Sequence, residues 1–75
     1  MSQTAADAYA AHRADIARLL DVLGMELDKH AEAAKGEPGD WGRAGDLATV
    51  RSNLIGAVAF LAGMDPANVE AFLAE

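Results

Sequence analysis

His12 and His30 stand eighteen residues apart, a whole number of turns if the chain between them is helical, and so would share one helix face. With Asp15 and Glu26 each within a turn, they are the residue types that hold a transition metal. The same spacing separates them by about 27 Å along the axis, so a straight helix cannot close such a site within one chain. An antiparallel homodimer would bring His12 of one chain toward His30 of the other, and protonation at about pH 6 would then place like charges together and loosen the pair. The simpler reading, carried forward here, makes both histidines half-buried ends of an apolar stripe, with no metal and no cofactor assigned.

Other chemistry is thinly represented. Ser2, Thr4, Thr49 and Ser52 are the hydroxyls besides Tyr9, and none sits on the glycine-flanked elbow that exposes a nucleophile. The glycines of DWGRAG follow no strand and lack the lysine that would cradle a phosphate. We therefore expect no enzyme. Arg43 and Arg51, eight residues apart, flank the apolar face of the helix they sit on and are expected to snorkel or to pair with Asp21 or Glu26. The sharper alternative is an anion-binding or partner-binding pair. A net charge of −6 opposes phosphate backbones, where affinity comes from lysine and arginine displacing counterions. Six acidic residues precede Lys35 and six follow it, so no dense acidic tract forms. The chain has no cysteine, which excludes disulfides and thiolate metal sites.

These residues need elements to position them, and the pattern is helical throughout. Thr4 and Asp7 form a capping box ahead of an alanine- and leucine-rich stretch, predicting a first helix over 4–34. Its stripe is Tyr9, Ile16, Leu19, Leu20, Leu23 and Leu27, continued by His12, His30 and Ala31. Gly24 is its weak point, a place for a kink or a close crossing. Gly36 reads as the left-handed residue that ends it, and GEPG as a turn within 35–40, short enough for an antiparallel hairpin. Asp40 caps a second helix over 41–62, with Gly63 as its stop. Leu47, Val50, Leu54, Val58 and Leu61 share its expected core face. Gly42, Gly45, Thr49, Ser52, Gly56, Ala59 and Gly63 line roughly the opposite side. Four glycines at about 1 kcal/mol each relative to alanine point either to close backbone approach along that seam or to a helix that begins only at Asp46. Trp41 is expected to cap the end of the hairpin core, or, if exposed, to anchor a partner. Asp65-Pro66 starts a third helix over 66–74, with Met64 and Val69 as a hydrophobic staple and Val69, Phe72 and Leu73 turned inward.

Ala59, Gly63 and Val69 also match the spacing of a helix-turn-helix: a small residue at the crossing, glycine at the turn and a branched residue on the second helix. The would-be recognition helix, however, carries Asp65, Glu70 and Glu75 and no lysine or arginine, so sequence-specific DNA binding stays the alternative and a tight helix corner the main reading.

The stretch Trp41 to Val50, WGRAGDLATV, followed by an apolar run ending Phe60-Leu61-Ala62-Gly63, resembles a loose group of small uncharacterised bacterial, phage and plasmid proteins with a W-G-x-x-G-D-L-x-x-V stretch. The resemblance spans about a third of the chain. It implies a mobile-element setting and no particular activity, and no site residue is carried over from it.

The expectation is thus an all-α protein: an antiparallel helical hairpin plus a short third helix, one domain over 1–75, dimerising into a bundle because a chain this small buries only about 60% of its unfolded surface. No apolar run reaches the roughly 18 to 20 residues of a membrane span, and MSQTAAD lacks a signal peptide's basic start, so a cytoplasmic protein is expected. Its function would be non-enzymatic protein binding by a small regulator or inhibitor, with a homodimer and an unidentified protein as partners and neither nucleic acid nor membrane. Tyr9, His12, His30, Trp41, Arg43, Gly45, Arg51 and Gly56 are the candidate interaction residues.

Overall fold

A computed structural model describes residues 3–75. The described chain is all-helical: α1 (Ala5–Ala34), α2 (Trp41–Ala62) and α3 (Pro66–Leu73), with no strand among the described residues. It divides into two compact units, Met1–Pro38 and Gly39–Glu75.

The first unit is α1. The Thr4 hydroxyl accepts from the Asp7 amide at 3.1 Å, and the Asp7 carboxylate accepts from the Thr4 amide at 3.3 Å, so both halves of the capping box form. A third of its thirty residues are alanine, and thirty residues lie well beyond the roughly 12–15 at which helix propagation overcomes nucleation. Exposed Glu26–Lys29 and Glu32–Lys35 pairs, each at 3.1 Å, add a little on its surface. None of its residues is buried; α1 is helical by propensity, capping and length. The chain runs helically through Gly24, where a Cβ would meet nothing within 4 Å.

The end of α1 departs from expectation. Gly36 is not left-handed, since Gly63 is the positive-φ residue among those described. Instead the last turn tightens, with the Gly36 amide donating to Ala33 at 3.3 Å and the Glu37 amide to Ala34 at 3.0 Å. These three-residue bonds satisfy carbonyls that a left-handed cap would otherwise have served.

The second unit is α2 and α3. Asp40 accepts from the Gly42 amide at 2.8 Å, so α2 begins at Trp41 and includes Gly42 and Gly45, rather than starting at Asp46. At its far end Gly63 adopts φ 67°, the Met64 amide donates to the Ala59 carbonyl at 3.0 Å and the Gly63 amide to Phe60 at 3.4 Å. This is the paired bonding of a Schellman turn. Asp65 then accepts from the Ala67 amide at 2.9 Å, and Pro66 opens α3, which leaves α2 at 115°.

That turn decides where the core sits. It sends α3 across the face of Ala59, the residue whose carbonyl receives Met64. Ile55, Ala59 and Val69 form the buried cluster. The expected face of α2 lies elsewhere: at about 100° per residue the centre of the Leu47–Leu61 stripe is about 120° around the helix from Ile55 and Ala59. Leu47, Leu54, Val58 and Leu61 are accordingly exposed, Leu61 by 82%, and Val50 is half-buried. On α3 the staple position Val69 is buried, whereas Phe72 and Leu73 face solvent. An eight-residue helix turns only about twice, so one inward residue per turn is nearly all it can offer.

Candidate interaction surfaces

The Ala59–Gly63–Val69 corner is built as its spacing implied. Ala59 is 4% exposed, small enough for α3 to approach, and Gly63 supplies the left-handed turn that a side chain would resist. Ile55, one turn before Ala59, completes the cluster. It was missed by the leucine stripe, although the corner spacing extended back four residues would have found it.

Arg51 closes the same corner. Its Nη1 donates to Oε1 of Glu70 at 3.3 Å, so within the second unit it pairs with α3, whereas Asp21 or Glu26 of α1 was the expected partner; Glu26 is engaged by Lys29 on its own helix. Both partners of the Arg51–Glu70 pair are more than half exposed. Arg43 is half-buried.

Beyond Ala59 at the corner, the small-residue seam is open within its unit. A Cβ added at Gly45 or Gly56 would meet nothing within 4 Å, and one at Gly42 would meet the carboxylate of Asp40 at 3.0 Å. The Thr49 hydroxyl donates to the Gly45 carbonyl at 3.2 Å, which occupies its proton within the helix. Of the whole series Ala59 alone is buried.

Trp41 is 86% exposed, so it does not cap a core; its indole stands in solvent at the first turn of α2. Phe60, 85% exposed, is a second aromatic that the leucine periodicity passed over, because it lies about 120° around the helix from the stripe centre, in line with Gly42. On α1, Tyr9, Ile16, Leu19, Leu20 and Leu27 are exposed and Leu23 is half-buried. His30 is half-buried as expected, but His12 is exposed. No group of three or more metal-ligating side chains comes together among the described residues. Ser2 lies outside them.

What these surfaces offer is apolar area. Fully burying one such side chain is worth about 1.5–3 kcal/mol, and single exposed leucines are common on any protein surface. A continuous stripe of them on a helix with no buried residue is not, and such stripes mark interaction faces. No single described helix is long and apolar enough to cross a membrane, although α2 and α3 pass that test as a bent pair. Comparison with protein-family models, with curated proteins and with solved structures finds no match.

Proposed function

We propose that this chain is a small non-enzymatic helical module that acts by binding protein: a second copy of itself through α1, and a target that it regulates or inhibits through the exposed aromatics of the second unit. The observation that carries the reading is α1 itself, thirty residues long with a leucine-rich stripe and no buried side chain. A stripe of that length needs a partner to cover it. The four-residue GEPG linker supports a helical hairpin within each copy, and two hairpins make a bundle of familiar size. The absence of a catalytic constellation in the sequence and the acidic charge of −6 support protein over nucleic acid as the target. A phage or plasmid setting, with the module acting in the host cytoplasm, belongs to this reading through the W-G-x-x-G-D-L-x-x-V resemblance. The test is co-purification of a stoichiometric host or phage protein with the tagged chain. The reading expects a partner that is lost on Trp41→Ala, and no such partner would contradict it.

One observation favours a second reading. The 115° corner between α2 and α3, with its buried Ala59 and Val69, has the angle of a helix-turn-helix. Against it, α3 offers no lysine or arginine to a phosphate or a base edge. A gel-shift signal with duplex DNA that falls steeply with salt would establish this reading; none at low salt would end it.

A further inference from the structure

The last turns of α2 and the corner that follows them are apolar on every side. From Leu54 to Met64 the chain carries no charged, amide or hydroxyl side chain. Wound at about 100° per residue, the helical part of that run goes round the whole circumference of α2. Only the side of Ile55 and Ala59 is covered, by α3. The rest, about 240° of it, is exposed from Gly56 round to Ala62: Val58 by half, Phe60 and Leu61 by more than four-fifths. A protein partner covers a stripe, whereas a helix that is apolar all round suits surroundings that are apolar from every direction. Composition agrees, because α2 and α3 together are long and apolar enough for a membrane span, broken by the 115° corner. The turn itself is suited to such surroundings: the Gly63 and Met64 amides donate to the Phe60 and Ala59 carbonyls, so backbone groups that lipid could not satisfy are already paired.

Charge sets both the depth and the lipid. Asp65 follows Met64 directly, and the Arg51–Glu70 pair closes the same corner with both side chains more than half exposed. Charged groups are costly inside hydrocarbon, so these three hold the corner at the boundary between headgroups and acyl chains, where apolar side chains reach only about 5–10 Å inward. The second unit has Arg43 and Arg51 against the five carboxylates of Asp40, Asp46, Asp65, Glu70 and Glu75, and the whole chain carries −6. Interfacial helices rich in lysine and arginine seek anionic lipid. This one is repelled by an anionic surface and is matched to a zwitterionic one. We propose that the α2–α3 corner is a membrane-seating surface that lodges Phe60, Leu61 and Met64 in the interface of a zwitterionic bilayer. The proposal goes beyond the protein-binding reading and does not depend on it. Trp41 lies about 28 Å back along α2 from Phe60 and stays available to a protein target while the corner is seated.

Flotation of the full chain with phosphatidylcholine vesicles tests this. The chain should float with the vesicles, and mixing in phosphatidylserine should weaken binding at low salt, with the loss shrinking as salt is added. Phe60→Asp with Leu61→Asp alters two exposed positions outside the buried cluster and should lower vesicle affinity at least about tenfold. Trp41→Ala should leave it unchanged. Phe60→Trp in a Trp41→Phe background reports the seat directly: emission should shift to the blue only when vesicles are added, and phosphatidylcholine brominated on its acyl chains should quench it. Failure to float at any lipid concentration, or flotation that survives the double aspartate replacement, would overturn the proposal. So would blue-shifted emission before lipid is added, which would mean that a second copy of the chain covers the corner. Tighter binding to phosphatidylserine than to phosphatidylcholine would overturn the zwitterionic preference.

Discussion

Arg51 and Glu70 tie α2 to α3 across nineteen residues of sequence, with Nη1 donating to Oε1 at 3.3 Å. The pair lies beside the buried cluster of Ile55, Ala59 and Val69, and the two act on the corner with different strength. Both charged side chains are more than half exposed, so solvent screens them and the pair contributes on the order of 0.2–1 kcal/mol. The cluster, though small, carries more.

Reversing one charge, Glu70→Arg, should lower stability by under about 1 kcal/mol, with the loss shrinking as salt is added. The exchanged pair Arg51→Glu with Glu70→Arg should recover most of it. Thermal unfolding of the four proteins of this cycle measures the coupling.

Ile55→Ala removes one of the three buried side chains and should cost about 2–4 kcal/mol, the range for emptying a core position of this size. Hydrogen exchange should then show α3 amides losing protection while α1 amides are unchanged, since α1 has no part in that cluster. Equal loss in both would mean that the corner supports more of the chain than its own unit.

Gly63, which ends α2, and Gly56 within it should respond in opposite directions. Gly63→Ala forces a Cβ into φ 67° and should destabilise by about 1–2 kcal/mol. Gly56→Ala faces open space in a helix interior and should stabilise by about 1 kcal/mol, as should Gly24→Ala on α1. Urea midpoints at unchanged m-value give all three. Destabilisation by Gly56→Ala would reveal that the small-residue seam is packed against a partner in solution.

Trp41 stands 86% exposed, so its fluorescence should be that of a water-exposed indole and be quenched freely by iodide. A blue shift and protection on adding a target protein would place that target at the start of α2. Protection in the isolated protein would place Trp41 in an interface between copies.

Local signals in the chain read well because they depend on few neighbours. The Thr4–Asp7 box, the Asp40 and Asp65 caps, Pro66 and the left-handed Gly63 each act within about four residues, and each was legible from residue type and spacing. The buried face of α2 was not. Periodicity identified its most apolar side, Leu47 to Leu61, but α3 is aimed by the Met64–Ala59 bond, which turns it onto Ile55 and Ala59 instead. Arg51 went the same way: its expected partners were on α1, and the corner brought Glu70 within reach first. Gly36 misled for a related reason, because three-residue bonds closed the end of α1 without a left-handed residue. Among the candidate interaction residues, Tyr9 and Trp41 are exposed as an interaction role requires. Gly45 and Gly56 border open space, and Phe60 escaped notice because it lies on the small-residue side, about five turns after Gly42, where no large side chain was sought.

The central claim is that α1 covers its stripe with a second copy of the chain. Sedimentation equilibrium over a broad dilution series tests it most directly, on the natural protein and on Leu19→Asp with Leu20→Asp, which places charges at the centre of the stripe. The account predicts a mass of two chains that falls to one on dilution, and one chain at every concentration for the double variant. A single-chain mass for the natural protein throughout, with α1 still helical by hydrogen exchange, would contradict it.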